Sequence, residues 1–374
     1  MNLVARAGPA DGAVDALDGA RRWLWRQVVR TRTGRACARD RSTRVVALGL
    51  GHVAIALILA GFAPAYLLVY GPLVLGVPHV VADLRYLVVR GPASLRSEAI
   101  VALAAPLAAL AGSRAVELLG GPGIPLVDVA LGFAAIAIAV ALAPRAHPAG
   151  ARRWWIAAGV VAIAIPALAD PDAAVVVLLH GHNLVGIVIW VVWTRRTVRL
   201  GHRLAIVTAT AAVVVAVLAG ALDGAWSATV AEFATALAPG LAPELAYRVA
   251  LAYAFLQAVH YVVWLRLIPS TQARVPAAST FRRSLGSLRD DFGLLGLAAI
   301  AATALAVPAL ACALDPARVR DGYLALAVFH GWLELAIVAY VLVSRERLGE
   351  RNQEPFESLR VPSLRGGDPG KPTG

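Results

Sequence analysis

Six of the eight histidines in this chain, His52, His79, His180, His182, His260 and His330, fall inside stretches that are otherwise almost wholly apolar. Only His147 and His202 lie in polar segments. That distribution runs against cost, because an ionisable side chain gains nothing from lipid and persists there by facing a partner, a cavity or a metal. Neutral imidazole is the commonest protein ligand for metals such as iron, zinc and copper. Several of these histidines have companions at helical spacing. Asp83 follows His79 by four residues and Glu334 follows His330 by four, so each pair shares one helix face. Tyr253, Gln257, His260 and Trp264 are spaced four, three and four, a single helical stripe. A carboxylate beside a ligating imidazole fixes its tautomer and raises its basicity, and it can also ligate directly.

The pattern predicts a metal centre with His79, His182, His260, His330 and His52 as ligands. Asp83, Glu334, Gln257, His180 and Asn183 are its supporting or coupling groups. His180 and His182 point about 200° apart on a helix, so one of them faces the core, and His182 is preferred. Histidines inside a membrane also serve as interhelical hydrogen bonds or as proton and substrate pathways, and these readings stand beside ligation, most of all for His52. Tyr253, Tyr261, Trp264 and Trp332 either line a hydrophobic slot at the centre or pack the core.

The elements that must position these residues are membrane helices. The chain has 374 residues, 59% of them hydrophobic, and a mean hydropathy of +0.70. That is too apolar for a soluble globule of this length. Ten apolar runs are each long enough to cross a bilayer core of roughly 30 Å, at about 45–69, 72–89, 98–118, 126–143, 154–169, 173–193, 204–222, 245–268, 292–314 and 322–343. Unbroken runs without period-two alternation exclude a β-barrel. The predicted fold is all-α, a polytopic transmembrane bundle of about ten spans. The net charge of +12 is carried almost entirely by arginine, concentrated in alternate loops such as Arg195–Arg203 and Arg274–Arg289. Charge partitioned that way is the positive-inside signature, not a nucleic-acid surface, and it places both termini in the cytoplasm. The expected setting is the cell (inner) membrane, with the lipid bilayer as partner and the oligomeric state open.

Residues 1–44 read as a cytoplasmic Arg-rich arm, with Ala20–Val29 as an interfacial helix; 45–343 as the transmembrane domain; and 344–374 as a disordered cytoplasmic tail. Residues 223–244 form a long connection that can hold a re-entrant or surface helix. Arg85 near an inner end reads as snorkelling to the surface. Two cysteines, Cys37 and Cys312, are too few for a disulfide framework or a thiolate metal cage. Depth supports one polar layer. His79, His182 and His330 lie seven to ten residues from the outer ends of their spans and His260 about fifteen, with His52 in the inner third of its own.

The chain carries no HxxxH or HxxHH box set, HExxH helix, nucleophile elbow or Walker loop. The stretch Gly76-Val77-Pro78-His79-Val80-Val81-Ala82-Asp83 resembles the Gly-[Ile/Val]-Pro-His-Gly-Ala-x-Asp helix of the Brp/Blh family of membrane β-carotene 15,15'-dioxygenases. Leu256–Trp264 is similar to a later aromatic-rich W-H-S-x-R-H-like motif of that family, with Val80-Val81 replacing the small pair and Trp264 the second histidine. The resemblance covers about twenty residues. It implies a non-haem iron, with His79 and His260 as ligands and His52 matching a first-helix histidine, that splits a carotenoid's central double bond with O₂. Independently of any family, histidines with carboxylates and open positions suit Fe(II) oxygen chemistry on an apolar substrate entering from the bilayer. The other readings are a haem- or quinone-linked electron-transfer subunit and a proton- or metal-coupled transporter.

Overall fold

The computed structural model describes residues 9–144, 150–224, 227–272 and 280–346, and the described chain is all helix and turn. Two helices, α1 (Pro9–Arg30) and α2 (Arg32–Arg39), precede the bundle. The predicted interfacial segment is part of α1, which meets α13 through Asp18, whose carboxylate accepts the Phe281 N–H at 2.6 Å. Asp40 then caps α3 (Arg41–Phe62), accepting from the Ser42 and Thr43 amides, so the first span starts a turn earlier than the hydrophobic run. Its end also differs from expectation. The break falls at Ala63-Pro64, not at Gly71-Pro72, and α4 (Pro64–Asp83) runs straight through Pro72 and Pro78. Proline is accommodated as a first helical residue at Pro64 and, within a membrane helix, where neighbouring groups satisfy the freed carbonyls.

A π-helical turn, Leu84–Val89, extends α4. The chain continues as α5 (Ser97–Leu118), α6 (Pro125–Leu142), α7 (Gly150–Ala169), α8 (Pro171–Trp193) and α9 (Leu200–Leu218). The long connection does hold a helix, α10 (Ala228–Leu237), short and apolar. Then come α11 (Pro243–Val262), a second π-helical turn (Val263–Leu267), α12 (Ile268–Gln272) and α13 (Phe281–Ala313), whose backbone breaks at Gly293 with φ 72°. The last span is divided at Val328 into α14 (Pro316–Ala327) and α15 (Phe329–Ser344).

Ten of these helical stretches are long and apolar enough to cross a membrane, as the sequence predicts. They are not equivalent. The α11 stretch is the hub, 78% buried in its most apolar window, and the α14–α15 stretch is 61% buried, whereas α7 is 0% and α13 6%. Around α11 pack α3, α4, α8, α9 and α10, while α15 packs against α5, α6 and α8. Lipid is as apolar as leucine, so close helix approach depends on small residues. Gly132 lets α6 meet the Trp332 ring, and Gly49 lets α3 meet Ile206, where a Cβ would overlap the neighbour.

The rim is tied by polar contacts. Arg85 does not snorkel: its Nε donates to Asp291 at 2.6 Å, Arg90 binds the same carboxylate, and both guanidiniums donate to Ser287. Those contacts anchor the end of α4 to the first third of α13. Cys37 and Cys312 are free thiols.

Candidate metal centre

Four helices deliver one histidine each to a common point. His79 comes from α4, His182 from α8, His260 from α11 and His330 from α15, and one ring nitrogen of each lies within 4.8 Å of the others. His79 Nε2 is 3.0 Å from His260 Nε2, and His182 Nε2 is 3.0 Å from His330 Nε2. Two nitrogens about 2.1 Å from a shared ion lie about 3.0 Å apart at a right angle and about 3.4 Å apart at a tetrahedral angle. The spacing fits donors around a metal ion, and it is also that of an N–H···N hydrogen bond within each pair.

The outer sides of two of the rings face acceptors. His330 sits in the first turn of α15, where the break at Val328 frees the Ala327 carbonyl to accept from Nδ1. His182 Nδ1 faces the Glu334 carboxylate at 3.4 Å. Once Nδ1 carries the proton, Nε2 presents a lone pair. Two such lone pairs 3.0 Å apart repel unless a proton or a metal ion lies between them. Behind His260, α8 comes close because residue 186 is glycine: a Cβ there would stand 2.7 Å from His260 Nδ1. Gly331 has the same role against His182, at 3.3 Å.

Two carboxylates complete the cluster. Asp83 and Glu334 are both 0% exposed. Asp83 Oδ2 lies 3.4 Å from His79 Nε2, and Glu334 Oε1 lies 3.7 Å from His260 Nε2. Neither Asp83 oxygen meets a hydrogen-bond donor in good geometry among the described residues. A dry, unpartnered carboxylate is costly enough that it implies a cation or a proton at the site. Both π-helical turns begin within four residues of the cluster, after Asp83 and after Val262. Such turns widen a helix and re-aim side chains, and they are frequent at functional sites.

The sequence expectations separate cleanly against this geometry. His79, His182, His260 and His330 are brought together, with Asp83 and Glu334 beside them. His52 is not: its Nδ1 bonds the Leu48 carbonyl of its own helix at 2.7 Å, and it points away on α3. His180 turns to the opposite side of α8 and bonds the Leu237 carbonyl at 2.7 Å, leaving His182 as the core-facing member of the pair. Gln257, buried, receives no ligand role; its amide donates to Tyr253. Asn183 is buried at the chamber wall.

The cluster opens into a chamber of about 130 Å³ lined by three of the tyrosines and tryptophans singled out by sequence, Tyr253, Tyr261 and Trp332. Trp264 instead packs behind His79, with ring centroids 6.2 Å apart. Sequence reading missed Arg114 and Asp128, an ion pair at 2.6 Å that also lines the chamber. The signal was available, since both are ionisable groups inside apolar runs. It also missed Tyr323, whose ring fills the space left by Gly76. Two much larger cavities flank the chamber. One, about 810 Å³, lies between α4, α13 and α14 and shares Tyr323 with it; the other, about 860 Å³, lies between α6, α7, α8 and α15 and shares His182 and Trp332.

Comparison with family models, curated proteins and solved structures finds no match for this chain. The fold and the site define an integral membrane protein of ten candidate spans whose histidine cluster can hold a metal ion.

Proposed function

We propose that this protein is a metal-dependent membrane oxygenase, with Fe²⁺ at the histidine cluster, acting on a carotenoid or another long apolar lipid in the cell membrane. The observation that carries this reading is that the chamber at the cluster shares wall residues with two larger apolar cavities, His182 and Trp332 with one and Tyr323 with the other. A linear apolar molecule lying in both would bring its middle past the metal-binding nitrogens. An imidazole-rich set with carboxylates and open positions suits non-haem iron and O₂. Central cleavage of a double bond balances without a reductant, because one O₂ supplies both carbonyl oxygens of the two aldehydes formed.

In this chain, the four histidines would hold the ion, with the Ala327 carbonyl orienting His330 and the Glu334 carboxylate facing the outer nitrogen of His182. Bound iron would supply the oxygen chemistry. A haem is disfavoured by the same spacing: four nitrogens within 4.8 Å of one another occupy the space a porphyrin plane would need.

The test is metal analysis with visible absorbance on purified protein, comparing wild type with His79→Ala and His260→Ala. Bound metal in wild type that is lost in both variants, without a haem spectrum, is the expected result. No metal in wild type, or unchanged metal in both variants, would remove the centre; a haem spectrum would replace this reading with the electron-transfer one.

A further inference from the structure

The donor atoms fall into two sets, not one. His79, His182, His260 and His330 form the first, and His79, Asp83 and Glu334 form the second, each mutually within 4.8 Å. We propose that the site is built for two metal ions. This deepens the metal-centre reading above and rests on it.

Donor count and placement carry the argument. Six donors come from four helices, and two of those helices supply a histidine and a carboxylate one turn apart. Dimetal helical bundles use the same economy of six donors on four helices, with a histidine one turn from a carboxylate on two of them. Here histidine is the majority donor in place of carboxylate. His79 Nε2 is common to both sets and can ligate only one ion; with His79 beside Asp83 at 3.4 Å in the second position, His182, His260 and His330 remain for the first, and the 3.0 Å His79–His260 spacing lies between ligands of neighbouring ions. Glu334 turns one oxygen, Oε1, to within 3.7 Å of His260 Nε2 and belongs to the Asp83 set, while its other oxygen faces the outer Nδ1 of His182 at 3.4 Å.

Burial gives the second, independent reason. Asp83 and Glu334 are both wholly excluded from solvent, and the Asp83 oxygens meet no donor in good geometry among the described residues. If the only ion sat among the four histidines, Asp83 would need either an N–H donor, as a purely supporting acceptor, or a proton of its own. Its neighbour is instead the ligating edge of His79, through Nε2 and not through the outward Nδ1. Charge alone does not choose, because one divalent ion cancels two carboxylates, and two ions need further anionic ligands from solvent. Geometry chooses.

The experiment loads the purified, detergent-solubilised full chain with Mn²⁺ alone and reads metal per chain and the electron paramagnetic resonance spectrum. Two Mn²⁺ per chain with an exchange-coupled signal is the expected result, and Asp83→Ala should bind one with an uncoupled six-line signal. One ion per chain in wild type, uncoupled, overturns the two-ion proposal while leaving the oxygenase reading standing. No bound ion overturns both. Two ions retained in Asp83→Ala also overturn it, since Asp83 would then hold neither. The wild-type stoichiometry decides even where the variant fails to fold.

Discussion

At the scale of single residues, the centre depends on atoms that are missing as much as on those present. Gly186 allows α8 to lie against His260, and a methyl there would meet Nδ1 at 2.7 Å and the Trp264 indole nitrogen at 3.2 Å. Neither neighbour can move freely, because His260 is 1% exposed and Trp264 is 0%. Gly186→Ala should therefore tilt the imidazole and lower metal affinity, by roughly 10–100-fold if it acts as loss of an orienting contact does. Helix propensity improves with alanine, so loss of the helix is not the cause. Gly181→Ala, on the same helix with open space around it, is the control and should bind metal as wild type does. His52→Ala should also leave metal content unchanged, because His52 spends its Nδ1 on Leu48. Equal affinity for Gly186→Ala and wild type would show that this contact does not set the ring.

At the scale of elements, Asp40 starts the first span. Its carboxyl is held below the usual carboxylate range, chiefly by the Thr43 hydroxyl, with the Thr43 and Ser42 amides and Arg199 adding to it against partial burial. A lowered value means the ionised cap stabilises the fold at every pH above the unfolded value of about 3.9, and this stability is lost as pH falls through the lowered folded value. Amide exchange in the first turn of α3 should therefore be flat from about pH 5 to 8 when corrected for intrinsic rate, and should rise only in acid. Asp40→Ala should cost about 1 kcal/mol of local stability across the neutral range. Exchange that changed near pH 7 would point to a different group. Elements were also where the sequence was most readable. Each of the ten spans was visible because apolar length has no other reading, and His79/Asp83 and His330/Glu334 were visible because a four-residue spacing fixes a shared face. Their edges were not. Ala63-Pro64 outcompeted Gly71-Pro72 because packing against other helices relieves an interior proline, and α14–α15 parted at Val328, which carries no composition signal. His52 and His182 looked alike in sequence, and only tertiary packing separates a residue facing its own helix from one facing three others.

At the scale of the whole molecule, the two large spaces are lined by different sets of helices, and each borders one that is little buried, α13 in one case and α7 in the other. Val80 and Val81 line the α13 cavity and do not enter the histidine cluster. If a long apolar molecule occupies both spaces, filling either should block it without touching the ion. Gly159→Trp puts an indole into the α7 cavity from a position with open space, and Thr303→Trp does so from α13. Cells making β-carotene should lose colour when they express the wild type under O₂, and each wedge should slow that loss by roughly tenfold or more, as misplacement of a substrate does. Metal content should stay at the wild-type value in both variants, and Gly112→Trp, placed where nothing lies within 4 Å and outside either cavity, should bleach normally. Loss of bleaching with only one wedge would confine the substrate to one arm. Normal bleaching with both would mean that substrate reaches the histidines by another route, and unchanged pigment with wild type would remove the carotenoid assignment while leaving the metal centre in place.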